Sequence, residues 1–124
     1  MAKYDLPPLS PTETEILRLV WQLDHATVQD ACENLPKRRR MSYATVQTLL
    51  RRLEKKGYLK HRVRGNAYVY YSAVNRESVL KRTVNDFVQR AFGGDPIPLM
   101  IHLAKHGRLS VDDVKRLMTL IEEE

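Results

Sequence analysis

The hydrophobic period of the chain changes at Gly57, and this change constrains the fold more than any other feature of the sequence. From Ser42 to Gly57 the apolar residues recur at the spacing of an α-helix and form one narrow stripe. The stripe consists of Val46, Leu49, Leu50 and Leu53. After Gly57 apolar and polar residues alternate, which is the pattern of a β-strand. The sequence therefore predicts a helix that is buried along one side and leads directly into a β-hairpin.

The ends and the outer face of this helix are also marked in the sequence. Ser42 has the short, oxygen-bearing side chain that caps a helix start, and Gly57 supplies the left-handed residue that commonly ends one. The face opposite the apolar stripe carries small, hydrogen-bonding and cationic side chains, which suit the floor and walls of a DNA major groove. The base contacts predicted on this face are Ala44, Thr45, Gln47, Thr48 and Arg51.

The predicted hairpin has strands at 59–64 and 67–72, joined by Gly65-Asn66, a pair suited to a two-residue turn. This register pairs Val63 with Tyr68 and His61 with Tyr70 on a face that we expect to cover the helical core. We expect the opposite face to lie along phosphates. That face carries Lys60, Arg62, Arg64, Val69 and Tyr71.

The formal net charge of +6 is concentrated in one stretch of the chain. Residues 37–66 contain eleven Lys and Arg residues against a single acid, Glu54, whereas residues 1–36 are acidic and residues 75–124 are balanced. Because this stretch includes the predicted helix and hairpin, the pattern indicates a localised binding surface for a polyanion. The predicted phosphate contacts are Lys37, Arg38, Arg39, Arg40, Ser42, Arg52, Lys55, Arg62, Arg64 and Asn66.

Two shorter helices are predicted ahead of the basic stretch. Ser10 with Glu13, and Thr27 with Asp30, have the spacing of a capping box. The basic connector 37–40 then leads to the cap of the third helix. This order of helix, helix, connector and groove-facing helix is the plan of a helix-turn-helix domain.

From residue 75 the chain returns to helical spacing, in three amphipathic helices broken at 93–98 and at Gly107. Their apolar surface is too large for a free tail, so we expect it to be buried against a second copy. The fold class is therefore mainly α with a small β-hairpin: a winged helix-turn-helix domain at 1–74 and a helical dimerisation domain at 75–124. The predicted dimerisation residues are Val79, Leu80, Val84, Phe87, Val88, Phe92, Leu99, Leu103, Val114, Leu117, Met118 and Ile121.

The compartment and the redox chemistry follow from what the sequence lacks. No apolar run reaches the length of a spanning helix, and residues 1–8 contain no hydrophobic segment of a secretory signal, so we expect a cytoplasmic protein. The single cysteine, Cys32, has no partner for an internal disulfide. We expect it to be a small core residue of the second helix, and we expect no metal, cofactor or catalytic site.

Several local motifs resemble the penicillinase repressor (BlaI/MecI) family of winged-helix transcription repressors, and the resemblance covers nearly the whole chain. The most specific is TVQTLLRRLEKKGYL at 45–59. The others are LSPTETEIL at 9–17 with Val20-Trp21, YYS at 70–72 with Val74, and LSVDDV at 109–114. The resemblance implies a homodimer with interlocking C-terminal helices, whose two winged helices bind a palindromic operator.

The resemblance also assigns roles to individual positions. Thr45, Gln47 and Thr48 match positions that face the DNA groove in the family, and Arg52 matches a recurrent Arg before Leu. In antibiotic-responsive members a membrane sensor pathway cleaves an Asn-Phe bond in the fifth helix. The corresponding pair here is His102-Leu103, so protease-mediated inactivation stays open. The C-terminal Cys-x-Cys pairs of the copper-responsive branch are absent, which excludes copper sensing by that route.

A repressor that acts by occupying promoter DNA has two alternatives from other function classes. An enzyme would have to use His102 and His106, whose spacing places both imidazoles on one helix face, but the sequence supplies neither a base between them nor a third ligand. A non-specific nucleoid or RNA-binding protein would need the same basic surface. The lightly charged outer face of the third helix favours sequence reading over pure phosphate capture. A base-stacking platform formed by Tyr68, Tyr70 and Tyr71 is disfavoured by the helices ahead of it and by the presence of only two strands.

Overall fold

The computed structural model describes residues 6–123. Over this range the chain forms six α-helices and a three-stranded antiparallel sheet. The elements in order are α1 (Pro11–Leu23), β1 (His25–Ala26), α2 (Val28–Asn34), a 3-10 turn (Lys37–Arg39), α3 (Tyr43–Lys55), β2 (Leu59–Arg64), β3 (Ala67–Ser72), α4 (Arg76–Phe92), α5 (Ile97–Lys105) and α6 (Val111–Glu122). The expectation about a missing signal segment concerns residues 1–8, and residues 1–5 lie outside the described range.

The helix starts follow the capping residues in the sequence. The side chain of Ser10 accepts a hydrogen bond from the backbone N–H of Glu13 at 3.1 Å, and that of Thr27 accepts one from Asp30 at 3.0 Å. Ser42 caps α3 in the same way. The start of α5 differs from the prediction, because the helix begins at Ile97 rather than near residue 99. A proline is tolerated in the first turn of a helix, so Pro98 does not delay the start.

The turn that ends α3 depends on Gly57. Its backbone has a φ of 96°, which L side chains rarely adopt. A Cβ atom at this position would also lie 2.9 Å from the side chain of Leu6. Gly57 therefore allows the chain to pass from helix to hairpin within three residues.

The hairpin register is the predicted one, but the sheet has one strand more. Val63 pairs with Tyr68 and His61 pairs with Tyr70. β1, which the sequence did not predict, pairs with the other edge of β3, so the strand order is β1-β3-β2. A two-residue strand has no measurable period, so hydrophobic spacing does not reveal it.

The core lies between the inner faces of the three N-terminal helices and the base of the sheet. The apolar stripe of α3 is buried as predicted and packs with residues from α1, α2 and the hairpin. The fully buried members of this core include Ile16, Leu17, Val20, Ala31, Val46, Leu50 and Leu53. Cys32 packs against this cluster as expected of a small core residue, and burial, followed by the charge of Glu33, raises the pKa of its thiol.

The two faces of the hairpin are less distinct than predicted. Tyr70 is buried on the face assigned to the core, but Val63 is 64% exposed and Tyr68 is 44% exposed. This pair adjoins the turn, so the tip of the hairpin extends past the helical core. On the face assigned to phosphates Val69 is only 2% exposed, so that face is not wholly open to solvent.

The chain divides after Leu80 into two compact units, with the division inside α4. The boundary predicted between residues 74 and 75 stays a prediction. In the second unit the rings of Phe87 and Phe92 lie edge to face at 5.9 Å, and Val88 is buried. Across residues 6–123 we find no helix with the length and apolar content needed to cross a lipid bilayer.

Candidate nucleic-acid interface

The outer face of α3 presents the side chains that were predicted to read bases. Ala44, Thr45, Thr48 and Arg51 are exposed, and Gln47 is half-buried. The Thr48 hydroxyl donates a hydrogen bond to the carbonyl of Ala44 at 2.9 Å, and the Thr45 hydroxyl accepts one from Ser42. A hydroxyl that donates one hydrogen bond still has lone pairs for a second partner. The face is therefore small, polar and open.

The hairpin beside α3 forms a cationic wing. Lys60, Arg62 and Arg64 on β2 are all exposed, as is Asn66 at the turn. The guanidinium of Arg62 lies over the ring of Tyr71 at 5.7 Å from its centroid, within the range of a cation–π contact. This contact holds one wing cation in place while its outer side stays accessible.

The connector 37–40 is exposed throughout and forms a 3-10 turn ahead of α3. Arg39 donates two hydrogen bonds to the carboxylate of Glu15 on α1, from Nε at 3.1 Å and from Nη2 at 2.7 Å. A bidentate pair of this kind fixes the guanidinium plane. Arg39 therefore anchors the connector to α1, and a phosphate contact from it would compete with Glu15.

A buried carboxylate connects α1 to the end of α3. Glu13 is 1% exposed, and its Oε1 accepts hydrogen bonds from the backbone N–H of Ser10 at 2.8 Å and from Nζ of Lys56 at 2.6 Å. Burial alone would raise the pKa of Glu13, but the hydrogen bonds from Lys56 and Ser10 and the Lys56 charge hold it below its ordinary value. Nε of Arg52 lies 4.0 Å from Oε2, so this predicted phosphate contact also belongs to a structural cluster.

A second polar contact joins α3 to the wing, and we call it the α3–wing bridge: Glu54, His61 and Tyr68. Nδ1 of His61 lies 2.7 Å and 2.8 Å from the two carboxylate oxygens of Glu54. The His61 ring stacks on Tyr68 with centroids 3.9 Å apart and planes inclined by 11°. The sequence analysis placed His61 in a cross-strand pair but gave no role to Glu54. Glu54 is the single acid in residues 37–66, and this is the signal that could have identified it.

A cleft of about 260 Å³ lies between α3, the tip of the wing and the start of α2 (residues 27–29), and we call it the α3–wing cleft. Its walls include Tyr43, Gln47 and Arg51 from α3, and Asn66 and Tyr68 from the wing. Tyr70 lies at its base. Burial, and then the charge of Glu54, raise the pKa of the Tyr70 hydroxyl, while the neighbouring Arg51 guanidinium opposes the rise.

The two histidines of α5 do not form a metal site with any third residue that the structure describes. Their rings are 4.2 Å apart and inclined by 45°, and both side chains are exposed. Within residues 6–123 no group of three or more His, Cys, Asp or Glu side chains is arranged to hold a metal ion.

The predicted dimerisation residues fall into three groups. Val79 packs against the core of the first unit and Val88 is buried, so both are used in packing inside the protomer. Phe92, Leu99 and Leu103 are half-buried. The exposed members are Leu80, Val84, Phe87, Val114, Leu117, Met118 and Ile121. Further exposed apolar residues that were not predicted are Ile97, Met100, Ile101, Val111 and Leu120.

Comparison with known proteins finds repressors among the relatives of this chain. The chain is 25% identical over 118 residues to the penicillinase repressor of Bacillus licheniformis, covering 95% of this chain and 92% of that protein. It is similar to the solution structure of the DNA-binding domain of the repressor BlaI, with 30% identity, a TM-score of 0.52, and coverage of 58% of this chain and 88% of that one.

A second solved structure is the monomeric form of Bacillus licheniformis BlaI in complex with the blaP half-operator. It is 30% identical to this chain with a TM-score of 0.50, over 59% of this chain and 89% of that one. The fold class is thus confirmed as a winged helix, mainly α with a small sheet. The family model described as penicillinase repressor matches residues 9–123. The chain therefore belongs to the penicillinase repressor family, as the motifs in its sequence predicted.

Proposed function

We propose that the chain is a cytoplasmic, sequence-specific transcriptional repressor that occupies a palindromic promoter operator as a homodimer. The observation that carries the proposal is the position of the open polar face of α3 beside the cationic wing. A relative with 30% identity is the repressor BlaI, whose solved structure is a complex with half of an operator. The proposal assigns the same kind of ligand to this chain.

In the proposed complex α3 lies in the major groove and the wing lies on the adjacent backbone. Thr45, Gln47 and Thr48 contact base edges, which carry sequence information, while Arg62 and Arg64 contact phosphates, which set position. If about six to ten phosphates are contacted, affinity falls by about 10³ to 10⁵ between 50 and 200 mM salt.

The homodimer is supported by the apolar surface of the C-terminal helices. Phe87 is 53% exposed on α4 and Ile121 is 73% exposed on α6. Exposed large apolar side chains that recur along several helices are typical of a protein interaction site. A second copy is the occupant that we propose, because a two-fold dimer presents two copies of α3 to a palindromic site. Proteolytic control is not part of the proposal, because His102-Leu103 replaces the family's Asn-Phe pair.

The test is a footprint on the promoter beside the chain's own gene, titrated with the full-length protein. We expect two protected half-sites related by a dyad. A Gln47→Ala variant should weaken binding to this site more than binding to random DNA. Arg64→Ala should weaken both equally. Protection that spreads without a boundary and depends only on DNA length would instead favour the alternative, a non-specific nucleic-acid-binding protein.

A further inference from the structure

We propose that the α3–wing cleft seats one backbone phosphate of the DNA, and that Arg51 holds this phosphate rather than reading a base. This inference rests on the proposed function, because it names the part of the DNA that meets one surface of the repressor. It changes the role predicted for Arg51 from the sequence. It also gives a role to Tyr43, which the sequence did not connect with DNA, and to Tyr68, which the sequence connected with nucleic acid only through a disfavoured base-stacking platform.

The groups around the cleft match the chemistry of a phosphodiester. A phosphate oxygen only accepts hydrogen bonds, so its site must consist of donors. Arg51 supplies a guanidinium, Tyr43 and Tyr68 supply hydroxyls, and Asn66 supplies an amide. Among the described residues that line the cleft, none is acidic. The nearby Glu54 carboxylate is engaged by His61.

The size and openness of the cleft are also suitable. About 260 Å³ is several times the roughly 30 Å³ that one water molecule occupies in the liquid, so a phosphate group fits together with part of its sugar. Tyr43 is 52% exposed and Tyr68 is 44% exposed. Their hydroxyls are therefore reachable from the solvent side, where a duplex would approach.

The position of the cleft fixes which phosphate it would meet. It is bordered by α3, which occupies the major groove in the proposed complex, and by the tip of the wing, which lies beside the same duplex. The start of α2 (residues 27–29) closes its remaining side. A DNA strand separates each major groove from the neighbouring minor groove. In the proposed complex the strand that passes between α3 and the wing crosses the mouth of the cleft.

The surroundings of Arg51 favour a fixed target. Its guanidinium lies beside the hydroxyl of Tyr70, which is buried at the base of the cleft. The planar guanidinium of an arginine is pre-organised, so it loses less freedom than a flexible cation when it binds a phosphate at a set position. By contrast, the hydrogen bonds of the Thr48 and Thr45 hydroxyls lie within α3 and its cap, to the carbonyl of Ala44 and from Ser42. We therefore separate Arg51 from the residues that read bases.

The experiment compares Arg51→Gln with wild type on the footprinted operator and on a random-sequence duplex of equal length, at several salt concentrations. We expect both affinities to fall by the same factor, roughly tenfold, because a charge-assisted hydrogen bond is lost in each complex. The slope of log affinity against log salt should decrease by about one. Arg18→Gln, which removes an equal charge from an exposed site on α1, is the control and should change neither affinity by more than about twofold.

Two further measurements locate the contact. Tyr68→Phe should weaken binding to both duplexes by the same factor. It should leave the slope of log affinity against log salt unchanged, because no charge is removed. A neutral methylphosphonate is then moved along the operator, one position at a time. At the position of the seated phosphate, Arg51→Gln should have no additional effect. Circular dichroism and thermal unfolding verify that each variant is folded.

The results that overturn the inference differ from those that overturn the proposed function. If Arg51→Gln lowered the affinity for the operator and left the affinity for random DNA unchanged, Arg51 would be a base-reading residue. If Arg51→Gln changed neither affinity, Arg51 would not be part of the DNA interface. If the wild-type protein itself bound neither duplex, the proposed function would be wrong.

Discussion

Nδ1 of His61 on the wing lies 2.7 Å from Oε2 of Glu54 on α3. The pair is only partly exposed, and the His61 ring is held on its other side by stacking on Tyr68. The single acid of residues 37–66 is therefore engaged by a wing residue within the basic surface. The same contact fixes the wing relative to α3.

We predict that Glu54→Gln increases affinity for random DNA by about threefold, since it removes a negative charge from a surface that binds a polyanion. Affinity for the operator should not increase, because a looser wing offsets the electrostatic gain where position matters. Fluorescence anisotropy with both duplexes measures the ratio of the affinity for the operator to the affinity for random DNA. Glu77→Gln removes an exposed acid at the start of α4 and should leave the ratio unchanged. An equal rise for both duplexes would show that Glu54 acts through charge alone.

Glu13 should contribute to stability through its buried pair with Lys56. We predict that Glu13→Gln lowers the free energy of unfolding at neutral pH by about 1–3 kcal/mol, less than for a fully buried pair because the Lys56 side chain keeps 24% exposure. Urea denaturation measures the change. Glu15→Gln breaks the exposed pair with Arg39 and should cost less than about 0.5 kcal/mol. Equal losses in the two variants would contradict the assignment.

The Glu13 contribution should also depend on pH. The pKa of Glu13 is lowered from its ordinary value of 4.5, so its stabilisation is present above that value and is lost as the pH falls through the lower pKa of the folded protein. The difference in unfolding free energy between wild type and Glu13→Gln should therefore shrink below pH 4.5. A difference that stays constant across this range would mean that Glu13 acts through shape and not through charge.

Asp24 has a φ of 71° and a ψ of −46°, a conformation that is strained for an L side chain. We predict that Asp24→Gly raises the free energy of unfolding by about 0.5–1 kcal/mol, since relief of strain exceeds the added entropy of the unfolded chain. Asp24→Ala keeps the strain and should give no gain. Thermal unfolding distinguishes the variants. A lower melting temperature for the glycine variant would contradict the prediction.

The proposed dimer predicts a specific effect at α6. Leu117→Asp places a charge on the apolar face of the helix, and we expect it to weaken self-association at least about 100-fold. Thr119→Asp introduces the same charge on the other side of α6 and should leave association intact. Sedimentation equilibrium measures both. If both variants weaken self-association equally, the added charge and not its position on the apolar face would be the cause.

The local part of the fold was predictable from the sequence because its signals lie close together in the chain. A capping residue and its partner are three positions apart, and the stripe of α3 repeats within four turns. The turn at Gly65 set the strand register correctly. These features depend on neighbours, so spacing is sufficient to find them.

The tertiary contacts at the interface were not predictable in this way. Lys56 is 43 positions from Glu13, and no period connects them. The sequence also does not show how far the helical core extends along the hairpin. Tyr68 was therefore predicted to be covered, but it is 44% exposed. Arg51 follows the spacing of the outer face, but only the folded chain brings it beside Tyr70.

The strand order also bears on self-association through the sheet. β3 pairs with β2 along its whole length and with β1 at Tyr70 and Tyr71. β1 is only two residues long, so β2 offers the longer free edge for another chain. Lys60, Arg62 and Arg64 alternate along that edge. Repulsion between like charges opposes edge-to-edge pairing of two sheets. The cations that suit the wing to a polyanion therefore also protect the protein from aggregating through it.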